Sequence, residues 1–417
     1  MTPERIFVRG FGSAEGLEWG LWLALTVFWI VDMDLSPSRL VLLGIVLEVT
    51  VLLSETPTGV IADVRSRRTS LVIAQALMGL SFIWAFASTN FWVVLPAQAL
   101  LGFAWTFRSG ADTAWISDEV AGRARTEGDG PSEDGTADED AVDDSVERLL
   151  LQRHRWGMMV SLLVGPLTIA VGWRFSVQFV GILIGVIYTL FAGWMAVAMT
   201  EDHFTPGKDR GMGFRETLRE GVSVIRNRPR LRVLVAVVLL LFFGSAVFDR
   251  LGWVHFLDNV GVDDLNPSGE SLLAIGILFF VAGLGGIGVN TAAQRRLETG
   301  SGIARLAVAL LAVAAVGGLV ASATNFVVVI GLGYLLQDSV REALYPVLEG
   351  WANRDAPSEV RATVHSLMGQ SISVGEISGA FVFGAVAEAT SIPLAMAGAA
   401  ASFGLASLFA VRGVERQ

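Results

Sequence analysis

Cysteine is absent from this chain of 417 residues, so neither disulfides nor cysteine-ligated metals are available to it. Its four histidines (His154, His203, His255 and His365) are too scattered to form a pair at metal-ligand spacing. Of 30 basic residues one is a lysine, Lys208, and no basic patch stands apart to follow a nucleic-acid backbone. Charge of either sign is scarce, at 17% of residues against about 25% in soluble domains. Missing too are GxxxxGK[ST], which excludes direct drive by ATP, and the HExxH and GxSxG constellations of an integral membrane enzyme. The sequence therefore implies no enzyme, no cofactor and no metal.

Apolar residues fill the space, at 53% of the chain, in runs of the ~20 residues that a bilayer crossing needs. Spans are predicted over roughly 16–34, 39–61, 70–88, 91–113, 156–173, 176–199, 232–253, 270–292, 303–323, 325–345, 362–386 and 391–412. With no small-residue cleavage site after Arg5 and Arg9, the first is a retained helix and not a signal peptide. Arg39, Arg174 and Arg250 fall on one set of loops and Arg108 within a span, while the other 26 basic residues lie on the termini and alternate loops. That asymmetry places both ends in the cytoplasm.

Between the second and third spans stands Glu55-Thr-Pro-Thr-Gly59-Val-Ile-Ala-Asp63-Val-Arg65-Ser-Arg67-Arg68. It reads as a short loop in which Gly59 allows close helix approach, Asp63 caps a helix start and the arginines hold the cytoplasmic side. The pattern resembles the signature loop between helices 2 and 3 of major facilitator superfamily transporters, with Val64 and Ser66 where the fullest form has arginine and glycine. The halves of the chain also echo each other. Gly59-x3-Asp63 with Arg67-Arg68 returns as Gly286-x3-Asn290 with Arg295-Arg296, and Gly102 through Asp112 returns as Gly331 through Arg341. Ser161-x3-Gly165 returns as Ser371-x3-Gly375.

The resemblance covers essentially the whole chain and implies an all-α integral membrane fold of twelve helices in two pseudo-symmetric six-helix bundles. Residues 1–200 would form one bundle, with an acidic disordered cytoplasmic loop at 120–148, and 232–417 the other. Residues 201–231, with Phe214, Leu218, Val222 and Ile225 at helical spacing, would be an amphipathic linker lying on the inner leaflet. Arg341 through Arg354 is similar to the loop between helices 10 and 11 of drug-efflux-like members, and Gly157, Ser161, Gly165 and Pro166 to part of the helix-5 run of antiporters. Gln98 stands four residues before Gly102, where many members carry arginine. By the same resemblance Glu55, Gly59, Asp63, Arg67 and Arg68 form an inner gate, pairing with Asp112 or Asp118.

A charge at mid-bilayer costs about 2.5–3.5 kcal/mol on insertion scales, so Glu48, Arg108, Asp112, Asp249 and Glu376 are candidates for proton coupling or substrate contact. Arg108 and Asp112, four apart, are placed to pair on one helix. Gly283-Leu-Gly285-Gly-Ile-Gly288 mimics a dinucleotide fingerprint, but in a spanning run small residues serve helix packing. The function implied is alternating-access secondary transport: proton-coupled efflux of a hydrophobic or amphipathic small molecule, by a monomer in the plasma membrane. The alternatives are a symporter for a polar solute and a non-transporting sensor on the same fold. Small-molecule substrate, coupling ion and lipid are the partners implied, and nucleic acid is not.

Overall fold

The computed structural model describes the chain except residues 127–135, 205–227, 261–276, 278–279, 282–283, 286, 290, 293–294, 296–301, 356–360 and 415–417. The described residues form helices and no strand. In order they are α1 (Pro3–Asp32), α2 (Pro37–Val64), α3 (Arg67–Phe86), α4 (Phe91–Arg108), α5 (Ala111–Thr126), α6 (Thr136–Arg174) and α7 (Val177–Ala198). Then come α8 (Pro229–Asn259), α9 (Ile303–Ser322), α10 (Val327–Asp355), α11 (Arg361–Ala389) and α12 (Ile392–Val414). The described positions from Ile277 to Arg295 are helical as well, Gly285 and Gly288 among them. Nine stretches among the described residues are long and apolar enough to cross a membrane.

The chain packs as two compact units, Met1–Phe28 with Leu53–Gly211, and Trp29–Leu52 with Met212–Gln417. The boundary falls inside α1 and α2, so the first half of α2 packs with the later helices: Val41 belongs to the apolar core that Leu234, Phe248, Leu311 and Phe403 build. The first unit has a core of Ile6, Phe7, Phe11, Trp115 and Ile116. Short π-helical segments lie in α1 at Ile6–Phe11 and at its end, Phe28–Asp32, and in α8 at Phe248–Gly252, a distortion that recurs at functional sites.

Local chemistry revises several expectations. The loop after Glu55 is mostly helix, since α2 runs on through Pro57 to Val64 and leaves Arg65 and Ser66 to make the turn. The cap of α3 is Ser66, not Asp63: in extended conformation its hydroxyl accepts from the Thr69 amide at 2.9 Å. Ser66→Ala is expected to lower stability by about 1 kcal/mol, read as a lower melting temperature in detergent. The fourth span breaks at Ser109-Gly110, where Gly110 adopts φ 73°, so α5 leaves with a new helical register. In the acidic insert the flanks are helical to Thr126 and from Thr136, against the expected disorder, and 127–135 lie outside the described residues. Most of the expected amphipathic linker, 205–227, lies outside them too.

Candidate functional site

The first unit gathers its buried charges around α1. Glycines make this possible: a Cβ on Gly12 would come within 2.8 Å of the Arg153 carbonyl, and one on Gly16 within 2.7 Å of the Gly157 carbonyl. Gly12, Gly16 and Gly20 lie four apart, a small-residue ladder that lets α6 approach α1. That approach sets Arg153 of α6 between two carboxylates, with Nη1 2.6 Å from Asp112 and Nε 3.2 Å from Glu15. Glu15 also receives His154 Nδ1 at 3.0 Å. One turn further along α1, Glu18 Oε2 accepts from Arg108 Nη1 at 2.6 Å and from the Tyr188 hydroxyl at 3.2 Å. Arg108 lies with its guanidinium carbon 4.3 Å from the Trp105 ring centroid.

Arg108 and Asp112 therefore do not form the expected pair on one helix. The break at Ser109-Gly110 ends the four-residue register, and Glu18 and Arg153 respectively take the places as partners. Sequence reasoning missed Glu15, Glu18, Arg153, His154 and Tyr188. The available signal was the glycine ladder in α1: two glutamates beside it must share the close contact it creates.

The turn after α2 shows its own set of bonds. Arg67 donates to the Ala114 carbonyl at 2.7 Å and forms an ion pair with Asp118, one of its two expected carboxylates; Asp112 is held by Arg153. Glu201 accepts from the Ser66 hydroxyl at 2.6 Å and from the Arg68 amide at 3.0 Å, so a carboxylate sits at the start of α3 where the helix dipole favours it. Arg68 also donates through its guanidinium to the Ala196 carbonyl. Glu55 receives the Ser109 hydroxyl at 3.5 Å, the limit of a hydrogen bond. A Cβ built on Gly59 meets nothing within 4 Å, so no close approach occurs there. Asp63 lies on the last turn of α2, and its side chain is outside the described residues.

In the second unit Arg341 of α10 grips Asp249 with both terminal nitrogens, at 2.6 and 3.0 Å, and reaches Asp338 at 3.1 Å. Asp249 and Arg250 lie on the π turn of α8. Glu376 of α11 is within electrostatic reach of Asp249, Glu48, Arg341 and Arg250, which brings three expected carboxylates together. Arg250 lies 5.8 Å from the Trp29 ring centroid and against Gly44 of α2. On α6, Gly157 faces Glu15 and Gly12, Ser161 donates back to the Met158 carbonyl at 2.8 Å, and Gly165 and Pro166 lie within the helix. Among the described residues no group of three His, Cys, Asp or Glu could hold a metal.

No protein-family model matches the sequence. The uncharacterized MFS-type transporter YxaM of Bacillus subtilis (strain 168) is 21% identical over 414 residues, covering 97% of this chain and 91% of that protein. Among solved structures, the nucleoside transporter NupG superposes with TM-score 0.72 at 12% identity over 99% of both chains. A bacterial homolog to the human lysosomal transporter Spinster, inward-facing and occupied, gives 0.70 at 14% identity over 100% of this chain and 98% of that one. The human organic anion transporter MFSD10 gives 0.61 at 17% identity over 98% of this chain and 100% of that one. The fold is that of the major facilitator transporters, in a multi-pass membrane protein.

Proposed function

We propose that this chain is a monomeric secondary transporter that carries a small amphipathic organic molecule together with protons by alternating access. The observation that carries the reading is a set of ion pairs in each unit, Arg108–Glu18, Arg153–Asp112 and Arg341–Asp249, each with one member on a helix apolar enough to span a bilayer. Such charges are costly in lipid and mark solute or proton paths. Without a nucleotide motif the drive is an ion gradient. One charge crossing about 100 mV supplies roughly 2.3 kcal/mol, enough for about a 40-fold solute gradient. Glu376, Glu48 and Asp249 are the proton-coupling candidates of the second unit, and Arg108 with Asp112 the polar contacts of the first. Glu55, Gly59, Asp63, Arg67, Arg68 and Asp118 make the inner gate, in a protein crossing the plasma membrane twelve times with both ends cytoplasmic. Its fold neighbours, a nucleoside transporter and an organic anion transporter, support a solute with polar groups.

A second reading, export of a hydrophobic molecule in exchange for protons, is favoured by the α6 run of Gly157, Ser161, Gly165 and Pro166 and by its resemblance to antiporters. Proteoliposomes holding a pH indicator separate the two. Protons moving with the solute support co-transport, protons moving against it support exchange, and solute flux that ignores an imposed pH gradient rejects both. Glu376→Gln and Glu48→Gln are each expected to lose gradient-driven flux; full flux in both would remove these carboxylates from the coupling.

A further inference from the structure

Glu18 differs from the other carboxylates of the first unit in what neutralises it. Asp112 and Glu15 share Arg153, and Glu15 has His154 besides. Glu18 is 5% exposed and depends on Arg108, whose Nη1 and Nη2 lie 2.6 and 3.3 Å from its two oxygens. That guanidinium rests on Trp105, a residue left 38% exposed, and its own side chain stays 19% exposed. A single proton on Glu18 thus leaves that guanidinium without its hydrogen-bonded carboxylate, beside a partly exposed indole.

We propose that Trp105, Arg108, Tyr188 and Glu18 form a binding site for an aromatic carboxylate, and that Glu18 takes up one proton as the carboxylate binds. This rests on the transport reading and names its solute class. The two N–H groups that Arg108 gives to Glu18 pass to the two oxygens of the incoming carboxylate, a geometry the guanidinium matches. The proton comes from water to a Glu18 oxygen, and the new O–H donates to the Tyr188 oxygen, already 3.2 Å away. One negative and one positive charge enter together, so the buried site keeps its net charge. The solute ring lies on the exposed part of Trp105, as aromatic pairs do.

Asp112 is also within electrostatic reach of Arg108 but makes no hydrogen bond to it. Glu15 lies one turn back on α1, with Asp112 on α5 and Arg153 and His154 on α6. On α3, Gln75 donates to the Tyr188 carbonyl at 3.2 Å. None of these offers the solute a guanidinium that protonation of its partner would release: Arg153 bridges two carboxylates and keeps one when the other is protonated.

The purified full chain is titrated calorimetrically with naphthoate and with naphthylmethylammonium, in buffers of different ionisation enthalpy, at about pH 6 and about pH 8. Naphthoate is expected to bind in preference to the ammonium, with about one proton taken up per molecule and affinity rising about tenfold per unit fall in pH. Glu18→Gln should bind naphthoate with no proton uptake and no pH dependence. Arg108→Gln should lose binding, and Trp105→Ala should weaken it about tenfold without changing the proton count. Preference for the ammonium, absence of proton uptake in the wild type, unchanged uptake in Glu18→Gln, or no binding of either probe at millimolar concentration would each overturn the proposal. Loss of the transport reading shows differently, as absent gradient-driven flux in proteoliposomes while naphthoate binding and its proton persist.

Discussion

Replacing Arg153 with methionine is expected to destabilise the chain by about 3–5 kcal/mol, the cost of leaving a buried ion-pair partner uncompensated. Arg153 joins Asp112 at 2.6 Å and Glu15 at 3.2 Å, with no side chain of the three more than 22% exposed. Its guanidinium also lies over Phe7, 5.1 Å from the ring centroid. Removing the guanidinium takes the ion-pair partner from Asp112 and leaves Glu15 with His154, in a unit whose neighbouring cation, Arg108, is already bound to Glu18. A detergent-solubilised Arg153→Met protein should therefore melt many degrees below the wild type. Neutralising the partners tests the cause: Arg153→Met with Asp112→Asn and Glu15→Gln should recover most of the loss, because removing a buried pair entirely is near neutral. A triple variant as unstable as Arg153→Met alone would mean that the contact of Arg153 with Phe7, and not its carboxylate partners, holds this corner.

The apolar runs made the helices legible, because a period of about 20 uncharged residues has few other physical outcomes. Ends were harder to place. Val64 closes α2 a few residues beyond the predicted span, and Arg108 closes α4 early because Gly110 takes a left-handed conformation that composition does not announce. The site was legible one residue at a time and not in its pairings. Asp249 and Glu376 stand out in sequence as charges among apolar neighbours, and in the structure they lie within electrostatic reach of each other. Arg108 stands out equally, yet its partner, Glu18, is 90 residues away and falls near the start of the predicted span 16–34, where a glutamate is ordinarily read as solvated, although α1 begins at Pro3. Long-range pairings depend on which helix faces approach, and the spacing of small residues marks a close contact without saying which helix will make it.

Gly379 shows how strongly such spacing governs the second unit. A Cβ at this position would stand 1.8 Å from the Phe243 carbonyl oxygen, and one at Gly375 would stand 2.8 Å from the Leu239 carbonyl. Both obstacles are backbone, so no rotamer change relieves them, and α11 would have to move bodily off α8. Glu376 lies between these glycines and Asp249 lies on α8, so the same displacement would separate the two carboxylates. Gly379→Ala is expected to prevent recovery of a monodisperse protein, with a loss well above the 1–3 kcal/mol usual for overpacking. Gly59→Ala is the matched contrast: it too is a helical glycine, but its Cβ meets nothing within 4 Å. There alanine should be neutral to folding or stabilise α2 by up to about 1 kcal/mol through helix propensity. Equal melting temperatures for the two variants would contradict the close contact of α8 with α11, and with it the placement of Glu376 beside Asp249.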